Sequence, residues 1–115
     1  SLKFSLAKYD DAYKDKKNKH ILIGDMLELG RFSKKLHIQI AKYINKSKVS
    51  KVHVYGKYIK HTYNKLKPQI KGKYLRNSME ILNLIKNELP NKAILMVKGS
   101  NSTGLNKIIQ SFKNI

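Results

Sequence analysis

The chain has 115 residues and a mass of 13.3 kDa, which is the size of one domain with a single hydrophobic core. It contains no cysteine, and this excludes disulfide bonds, thiolate metal sites and thiol catalysis. Its formal net charge of +18 is typical of proteins that bind nucleic acids or anionic surfaces, whereas no apolar run is long enough to cross a membrane.

The first half of the chain predicts two helices and two strands. Apolar residues recur at helical spacing in two segments, before and after a short apolar run. The two apolar faces comprise Leu2, Leu6, Tyr9 and Tyr13, and then Phe32, Leu36, Ile40 and Ile44. We expect the first helix to span about residues 2–14, followed by a polar linker over 15–19. Strands are predicted at 20–25 and 49–55, and Gly56 ends the second of them.

The second half continues the alternation of helix and strand. A third helix is predicted over 58–66, before Pro68, and a weak strand over 73–75. Ser78 is expected to be the N-cap of a fourth helix, which Pro90 terminates. The most apolar strand follows at 93–97. The expected buried faces are Met79, Leu82, Ile85 and Leu89 in the fourth helix, and Leu105, Ile108, Ile109 and Phe112 in the last.

The order of these elements predicts the fold class. Strands that are separated by helix-length connections favour a parallel sheet, because tight hairpins cannot join them. Crossovers between parallel strands are right-handed, so helices cover both faces. We therefore expect an α/β fold: a Rossmann-like, doubly wound, mainly parallel sheet in a three-layer α/β/α arrangement.

Two strand exits carry polar residues. Gly24 and Asp25 follow the first strand, and the segment Lys98-Gly99-Ser100-Asn101-Ser102 follows the last. Because parallel strands end at the same edge, the two exits should share one rim, where ligands collect in such sheets. Small residues, hydroxyls and an ammonium before a helix suit a carboxylate or phosphate.

Each exit also has a purely structural interpretation. Asp25 can cap the turn or the following helix, Lys98 can be the first solvated residue, and Ser100 or Ser102 can cap the last helix. The second exit is not a Walker loop, because the lysine precedes the glycine. No catalytic residue and no metal site are predicted in this chain.

The type and the distribution of the basic residues favour a solvated surface over a nucleic-acid site, although the net charge taken alone is typical of nucleic-acid binding. The basic residues are mostly lysines, which are spread along the chain with one dense run over 14–19. Arginine, which makes bidentate contacts to phosphate and guanine, occurs only at Arg31 and Arg76. Abundant lysine, isoleucine and asparagine are also what AT-rich codons produce.

Two segments carry a resemblance to a known family. They read ILIGDMLELG, followed by FSKKLH, and VKGSNS, followed by Leu105 and Ile108. In order and spacing the chain resembles the C-terminal domain of the Mur ligases, and it is most similar to the branch that adds D-alanyl-D-alanine. The opening Ser1-Leu2-Lys3 resembles the segment after the family's Asn-x-Asn-Pro motif. The resemblance therefore implies that residues 1–115 are one domain that lacks its first strand or strands and the N-terminal and central domains.

The resemblance implies a cytoplasmic, ATP-dependent amide ligase of peptidoglycan synthesis. In that family the carboxylate of UDP-muramoyl tripeptide is activated as an acyl phosphate, which the amine of D-alanyl-D-alanine attacks. The C-terminal domain positions the incoming amine component and closes over ATP. The partners implied are the central ATP-binding domain and the two substrates, with no membrane and no nucleic acid. ATP and Mg²⁺ would belong to the intact enzyme, and none is expected on this chain alone.

Site residues follow from the matched motifs. The resemblance places Asp25 on the nucleotide side of the closed cleft, and it places Lys98, Gly99, Ser100 and Asn101 in the loop that meets the dipeptide. Asn101 departs from the arginine that is usual at this position, so the loop lacks a planar cation for a carboxylate. His37 matches the family's Leu-His, where packing or capping is the favoured role.

Two other functions are kept as alternatives: a basic α/β module that binds nucleic acid, and an inactive relic domain. The chain alone is predicted neither to hydrolyse ATP nor to ligate peptides, since it has no Walker motif. If a first strand is missing, the sheet should expose an edge that favours self-association.

Overall fold

The computed structural model describes residues 2–113, so Ser1 and its part of the predicted resemblance lie outside the described residues. This part of the chain contains five α-helices and six strands. The helices are α1 (Leu2–Ala12), α2 (Lys34–Lys46), α3 (Lys60–Tyr63), α4 (Ser78–Asn83) and α5 (Leu105–Lys113). The strands are β1 (Lys19–Gly24), β2 (Leu27–Glu28), β3 (Arg31–Phe32), β4 (Lys51–Tyr55), β5 (Lys71–Leu75) and β6 (Ile94–Lys98).

Four strands form a parallel sheet in the order β5-β4-β1-β6. The first of them in the chain, β1, lies inside the sheet between β4 and β6, and five of its six residues pair with each neighbour. All six residues of β1 are buried, because helices cover both faces of the sheet. The predicted doubly wound, three-layer fold is confirmed.

The two faces of the sheet carry separate apolar clusters. One cluster joins α1, α2 and α3 to the sheet through residues such as Leu6, Ile44 and Ile59. The other joins α4 and α5 to the opposite face through Ile81 and Leu105. Alternate side chains of a strand point to opposite faces, so Leu22 belongs to the second cluster and its neighbours in β1 to the first.

The fourth helix differs from its prediction at the cap and at the buried face. Asn77 is the N-cap, because its side chain accepts a hydrogen bond from the Glu80 amide, and Ser78 is the first helical residue. Met79 is 78% exposed, whereas Ile81 and Leu84 are buried. Ile85 and Leu89 of the predicted face are partly buried against the same cluster, so the packed face comprises Ile81, Leu84, Ile85 and Leu89. A π-helical turn, Leu84–Glu88, completes the segment before Pro90.

A small hairpin between β1 and α2 was missed. Strands β2 and β3 pair antiparallel around Leu29 and Gly30, which both have positive φ angles of 54° and 76°. Two residues with positive φ form the kind of turn that fits a tight hairpin. Phe32 therefore lies in β3 and not in α2, which begins after the Ser33 cap. The third helix is also shorter than predicted, with only four α-helical residues.

Candidate functional site

The two polar strand exits meet at one rim of the sheet. Strands β1 and β6 are parallel neighbours, and the Ser100 amide donates to the Asp25 carbonyl oxygen at 2.9 Å. Gly24 and Gly99 allow this approach, because a Cβ on Gly99 would lie 3.3 Å from the Gly24 Cα. From β1 the chain winds towards β4, whereas β6 lies on the other side, so the exits flank the switch point of the sheet. The expected shared rim is confirmed.

The carboxylate of Asp25 is held by backbone amides of the next loop. It accepts hydrogen bonds from Lys57 at 3.0 Å, from Tyr58 at 2.9 Å and from Ile59 at 2.7 Å. Its residue is only 7% exposed. The structural interpretation of Asp25 as a cap is thus correct, and the segment that it caps is the turn between β4 and α3.

Gly56 makes this capping arrangement possible. Its φ is +136°, a conformation that residues with a side chain rarely adopt, and a Cβ at this position would overlap the Asp25 carboxylate. Gly56 therefore does more than end the second predicted strand, because it brings three amides within reach of one carboxylate.

His37 has a packing and capping role, which is the role that the sequence favoured. The ring is fully buried, and its Nδ1–H donates to the Ser33 carbonyl oxygen at 2.6 Å. Its Nε2 accepts from the Met26 amide at 3.1 Å, so the neutral ring joins the start of α2 to the β1 exit. The Thr62 hydroxyl donates to the His37 carbonyl oxygen at 2.6 Å, which ties α3 to the same place.

The second exit is held mainly by its own residues. The hydroxyls of Ser100 and Ser102 are 2.8 Å apart. The Thr103 hydroxyl donates to the Ser100 carbonyl oxygen at 2.9 Å and accepts from the Leu105 amide at 3.1 Å. Thr103 therefore caps the start of α5, and the expectation that Ser100 or Ser102 does so is wrong.

The side chains of Lys98 and Asn101 are accessible to solvent at this exit. Lys98 is the last residue of β6 and half-exposed, and among residues 2–113 no carboxylate forms an ion pair with it. Asn101 is exposed at the start of a 3₁₀ turn, Asn101–Thr103. An ammonium and a side-chain amide can each donate hydrogen bonds to a carboxylate, so these residue types suit binding and not bond breaking.

A cavity of about 430 Å³ opens at the same rim, between the β1, β4 and β5 exits and the second exit. Its lining residues are Asp25, Tyr55, Gly56, Tyr74, Leu75, Arg76 and Thr103. The predicted dipeptide residues are not among them. Arg76 and Thr103 are the residues that sequence reasoning missed. Arg76 directly follows β5, so the same rule that selected Asp25 and Lys98 could have found it.

Arg76 is held in place by α4. Its Nε and Nη2 donate to one Glu80 oxygen at 3.1 and 2.8 Å, and its amide donates to the other at 2.8 Å. The hydrogen bond to Glu80 raises the pKa of the guanidinium. Across the cavity the Tyr74 hydroxyl donates to the Gly56 carbonyl oxygen at 2.5 Å, and burial raises the pKa of this tyrosine. Arg76 thus lies at the cavity wall as part of a solvent-exposed ion pair with Glu80.

A pair of buried histidines lies at the opposite end of the sheet from this rim. His53 Nδ1 accepts from the Lys73 amide at 3.0 Å, so its Nε2–H donates to His20 Nδ1 at 2.9 Å. Burial lowers the pKa of His53 to about 4, and repulsion from His20 and Lys73 adds to this shift. Burial also lowers the pKa of His20, with a further contribution from Lys51. A Cβ on Gly72 would overlap the His53 ring. This pair is part of the core and not of the candidate site.

Residues 2–113 contain no group of three or more histidine, aspartate or glutamate side chains that could hold a metal ion. None of their helices combines the length and the apolar character that spanning a membrane requires.

Known proteins share sequence or fold with this chain. Over 96 residues the chain is 33% identical to the UDP-N-acetylmuramoyl-tripeptide--D-alanyl-D-alanine ligase of Rickettsia prowazekii (strain Madrid E), a match that covers 84% of this chain and 21% of that protein. Its fold is similar to that of the MurF ligase from Thermotoga maritima, solved in complex with ADP, with a TM-score of 0.68 and 15% identity. That match covers 97% of this chain and 26% of the other. No protein-family model matches the chain.

Proposed function

Because the chain is homologous to part of a Mur ligase, we propose that it is the C-terminal domain of an ATP-dependent amide ligase of peptidoglycan synthesis. The proposed enzyme joins D-alanyl-D-alanine to UDP-N-acetylmuramoyl-tripeptide in the cytoplasm. The observation that carries the proposal is the 33% identity over 96 residues, a match that covers 84% of this chain. The chain spans about a fifth of the length of that relative, so the rest of the enzyme would lie in other domains.

The role proposed for this domain is to position the dipeptide. Lys98, Gly99, Ser100 and Asn101 would meet D-alanyl-D-alanine, with the Lys98 ammonium facing its carboxylate. The solvent-accessible side chains of Lys98 and Asn101 support this assignment. A domain that orients one substrate contributes to catalysis by holding it close to the other reactant. This requires the central domain, which would hold that reactant.

Asp25 is proposed to act on the nucleotide side through the loop that it holds. Its carboxylate already accepts three amide hydrogen bonds, so its contribution would be to fix the turn between β4 and α3 at the cleft. ATP and Mg²⁺ would be bound mainly by the central domain, and residues 1–115 would form one domain that lacks its first strand or strands.

Titration of the ¹⁵N-labelled chain with D-alanyl-D-alanine tests the dipeptide site. Without the other domains we expect millimolar binding, about 4 kcal/mol, because a single charge-assisted site must offset the entropy of association. Chemical shifts should change at residues 98–104 and at the 24–28 turn. L-alanyl-L-alanine, which has the same charges, is the matched control and should give smaller changes.

Other outcomes would contradict the proposal. Equal shifts at scattered lysines for both dipeptides would indicate nonspecific charge, and salt-sensitive retention on DNA without sequence preference would favour a nucleic-acid module. Binding of neither nucleotide nor dipeptide, by the chain or by the product of its longer reading frame, would indicate a relic. ATP-dependent ligation of the dipeptide by that longer product would establish the enzyme.

A further inference from the structure

Within residues 2–113, β5 is an outer strand of the sheet, and its pairing with β4 is irregular opposite His53. Gly72 and Lys73 of β5 together face this single residue of β4. The regular pairs on the two sides of the irregularity are Val52 with Lys71 and Val54 with Tyr74. Two residues opposite one form a β-bulge, in which backbone groups lose their regular partners in the ladder. The groups of this bulge therefore need other hydrogen-bond partners.

Two side chains supply these partners. The Lys73 amide donates to His53 Nδ1 at 3.0 Å, and the Tyr63 hydroxyl donates to the Gly72 carbonyl oxygen at 2.8 Å. The His53 ring fits beside the bulge because Gly72 has no side chain, since a Cβ at this position would overlap the ring. The ring thus takes the place of the carbonyl group that a regular parallel strand would offer to the Lys73 amide.

The two buried histidines keep both of their hydrogen bonds only as neutral rings. The bond between the rings and the bond to Lys73 use the Nδ1 atoms of His20 and His53 as acceptors, so each ring carries its proton on Nε2. A further proton on His53 Nδ1 faces the Lys73 N–H. A further proton on His20 Nδ1 faces the Nε2–H of His53, and if that second proton moves to Nδ1 of the same ring, it again faces Lys73. Each arrangement therefore loses one of the two hydrogen bonds.

The bond to Lys73 is the one that the sheet loses more easily. Strands β1 and β4 lie inside the sheet and pair over five consecutive residues. Strand β5 pairs with β4 over three residues, which the bulge interrupts. An outer strand with few regular pairs opens locally at a lower free energy than an inner strand. A proton on the histidine pair should therefore separate β5 from β4 and leave β1 paired with β4.

Most groups that face the pair also disfavour a proton on it. Burial lowers the pKa of His53 to about 4, and repulsion from His20, Lys73 and Lys51 adds to the shift. Glu88, at the end of the π-helical turn, acts in the opposite direction, and it forms an ion pair with Lys73. The closed bulge thus binds a proton less readily than an open bulge, in which water would solvate the ring.

We propose that His53 is a proton-sensitive latch that holds β5 on the sheet. The neutral ring closes the bulge at Gly72 and Lys73, and the protonated ring releases this part of β5 while β1, β4 and β6 stay paired. Tyr74 and Leu75 follow the bulge and line the rim cavity of about 430 Å³, so the release also loosens one wall of that cavity. The inference rests on the hydrogen bonds of the bulge and does not depend on the ligase assignment.

Hydrogen exchange followed by NMR at pH 7.5 and pH 5 tests this latch. Because opening returns the pKa of His53 from about 4 to 6.5, the protection factor of the Lys73 amide should fall about thirtyfold between the two pH values. This exchange should depend weakly on urea, since a local opening exposes little surface. The Leu22 amide of β1 is the internal control, and its exchange should depend steeply on urea. An unchanged protection factor at Lys73, or equal urea dependence at Lys73 and Leu22, would overturn the proposal.

Substitutions of His53 separate the latch from general packing. In His53→Asn the side-chain oxygen can still accept from the Lys73 amide but does not titrate, so the protection factor should be independent of pH. In His53→Leu no acceptor remains, and the Lys73 amide should exchange quickly at both pH values. His61→Asn removes a histidine outside the pair, so this matched control should keep the full decrease of the unaltered chain.

Two further results would contradict the latch. A decrease in His53→Asn as large as in the unaltered chain would show that another group controls β5. Imidazole ¹⁵N chemical shifts at pH 7.5 should show the proton on Nε2 of both rings, and a proton on His53 Nδ1 at this pH would equally exclude the proposed bond to Lys73. The second measurement uses the unaltered chain, so it decides the matter even where a His53 variant does not fold.

Discussion

The two polar exits at the rim look alike in sequence but differ in what holds them. At the first, Asp25 is buried and accepts three backbone hydrogen bonds, and His37 ties the same turn to α2. At the second, Ser100 and Ser102 bond to each other, and Lys98 and Asn101 remain partly or fully exposed. The first exit therefore stabilises the structure of the rim, whereas the side chains of the second exit remain accessible to a ligand.

Replacing Asp25 should have the largest effect on stability. Asp25→Ala would leave three amides without their acceptor, so we expect a loss of roughly 4 kcal/mol in the free energy of unfolding. Urea denaturation followed by circular dichroism measures it. Asp25→Asn is the matched control and should cost less, because one oxygen still accepts. A change below about 1 kcal/mol for Asp25→Ala would show that the first exit is not a structural element.

Gly56 tests the same capping arrangement from the other side. Gly56→Ala should cost about 3 kcal/mol, because a side chain at φ +136° is strained and its Cβ would displace the Asp25 carboxylate. Gly104→Ala is the control, since Gly104 also has a positive φ, +73°, but no atom lies within 4 Å of the position that its Cβ would take. There we expect about 1 kcal/mol, measured in the same way. Equal losses in the two variants would rule out the contact with Asp25.

The buried histidines predict how stability depends on pH. Folding lowers the pKa of His53 from 6.5 to about 4 and that of His20 in the same direction, so below pH 6.5 the unfolded chain binds more protons. Stability should therefore fall as the pH decreases from 7.5 to 5, by about 2 kcal/mol for His53 alone.

Urea titrations across this pH range measure the effect. His53→Gln should flatten the profile most, whereas His61→Gln, at a position away from the pair, should flatten it less, because burial and the nearby Lys34 and Lys60 lower the pKa of His61 only in part. A flat profile for the unaltered chain would contradict the assignment of two neutral, hydrogen-bonded rings.

The smallest effect on stability is expected at the second exit. Asn101→Arg should change the free energy of unfolding by less than about 0.5 kcal/mol, because the residue is exposed. The added guanidinium should nevertheless strengthen binding of D-alanyl-D-alanine, since it can pair with the carboxylate. Asn101→Ala is the control for the dipeptide titration. A large loss of stability in either variant would show that this exit is also structural.

Local patterns predicted the element order well, and the misses have physical causes. The N-cap of α4 could not be chosen between Asn77 and Ser78, because both residue types cap helices and the tertiary contacts of Ile81 decide which stripe is buried. The β2–β3 hairpin depends on Leu29 at a positive φ, which its residue type does not predict. Leu29 is 91% exposed, so no apolar pattern marks this turn.

The candidate site was only partly predictable for a similar reason. The rule that polar residues after parallel strands meet at one edge was enough to place Asp25 and Ser100 together. It did not give the direction in which each side chain points. Arg76 and Thr103 reach the cavity because α4 and the 3₁₀ turn hold them there, and both depend on contacts between distant segments.

The sequence by itself determined the alternation of strands and helices, and with it a parallel, doubly wound sheet, since apolar periodicity and right-handed crossovers leave few other arrangements. Tertiary structure alone decided that the Asp25 carboxylate caps a turn 32 residues away, that His20 and His53 meet in the core, and that β6 is an outer strand of the sheet within residues 2–113. Hydrogen bonds between distant residues depend on register and distance in the folded chain, and no local pattern encodes either.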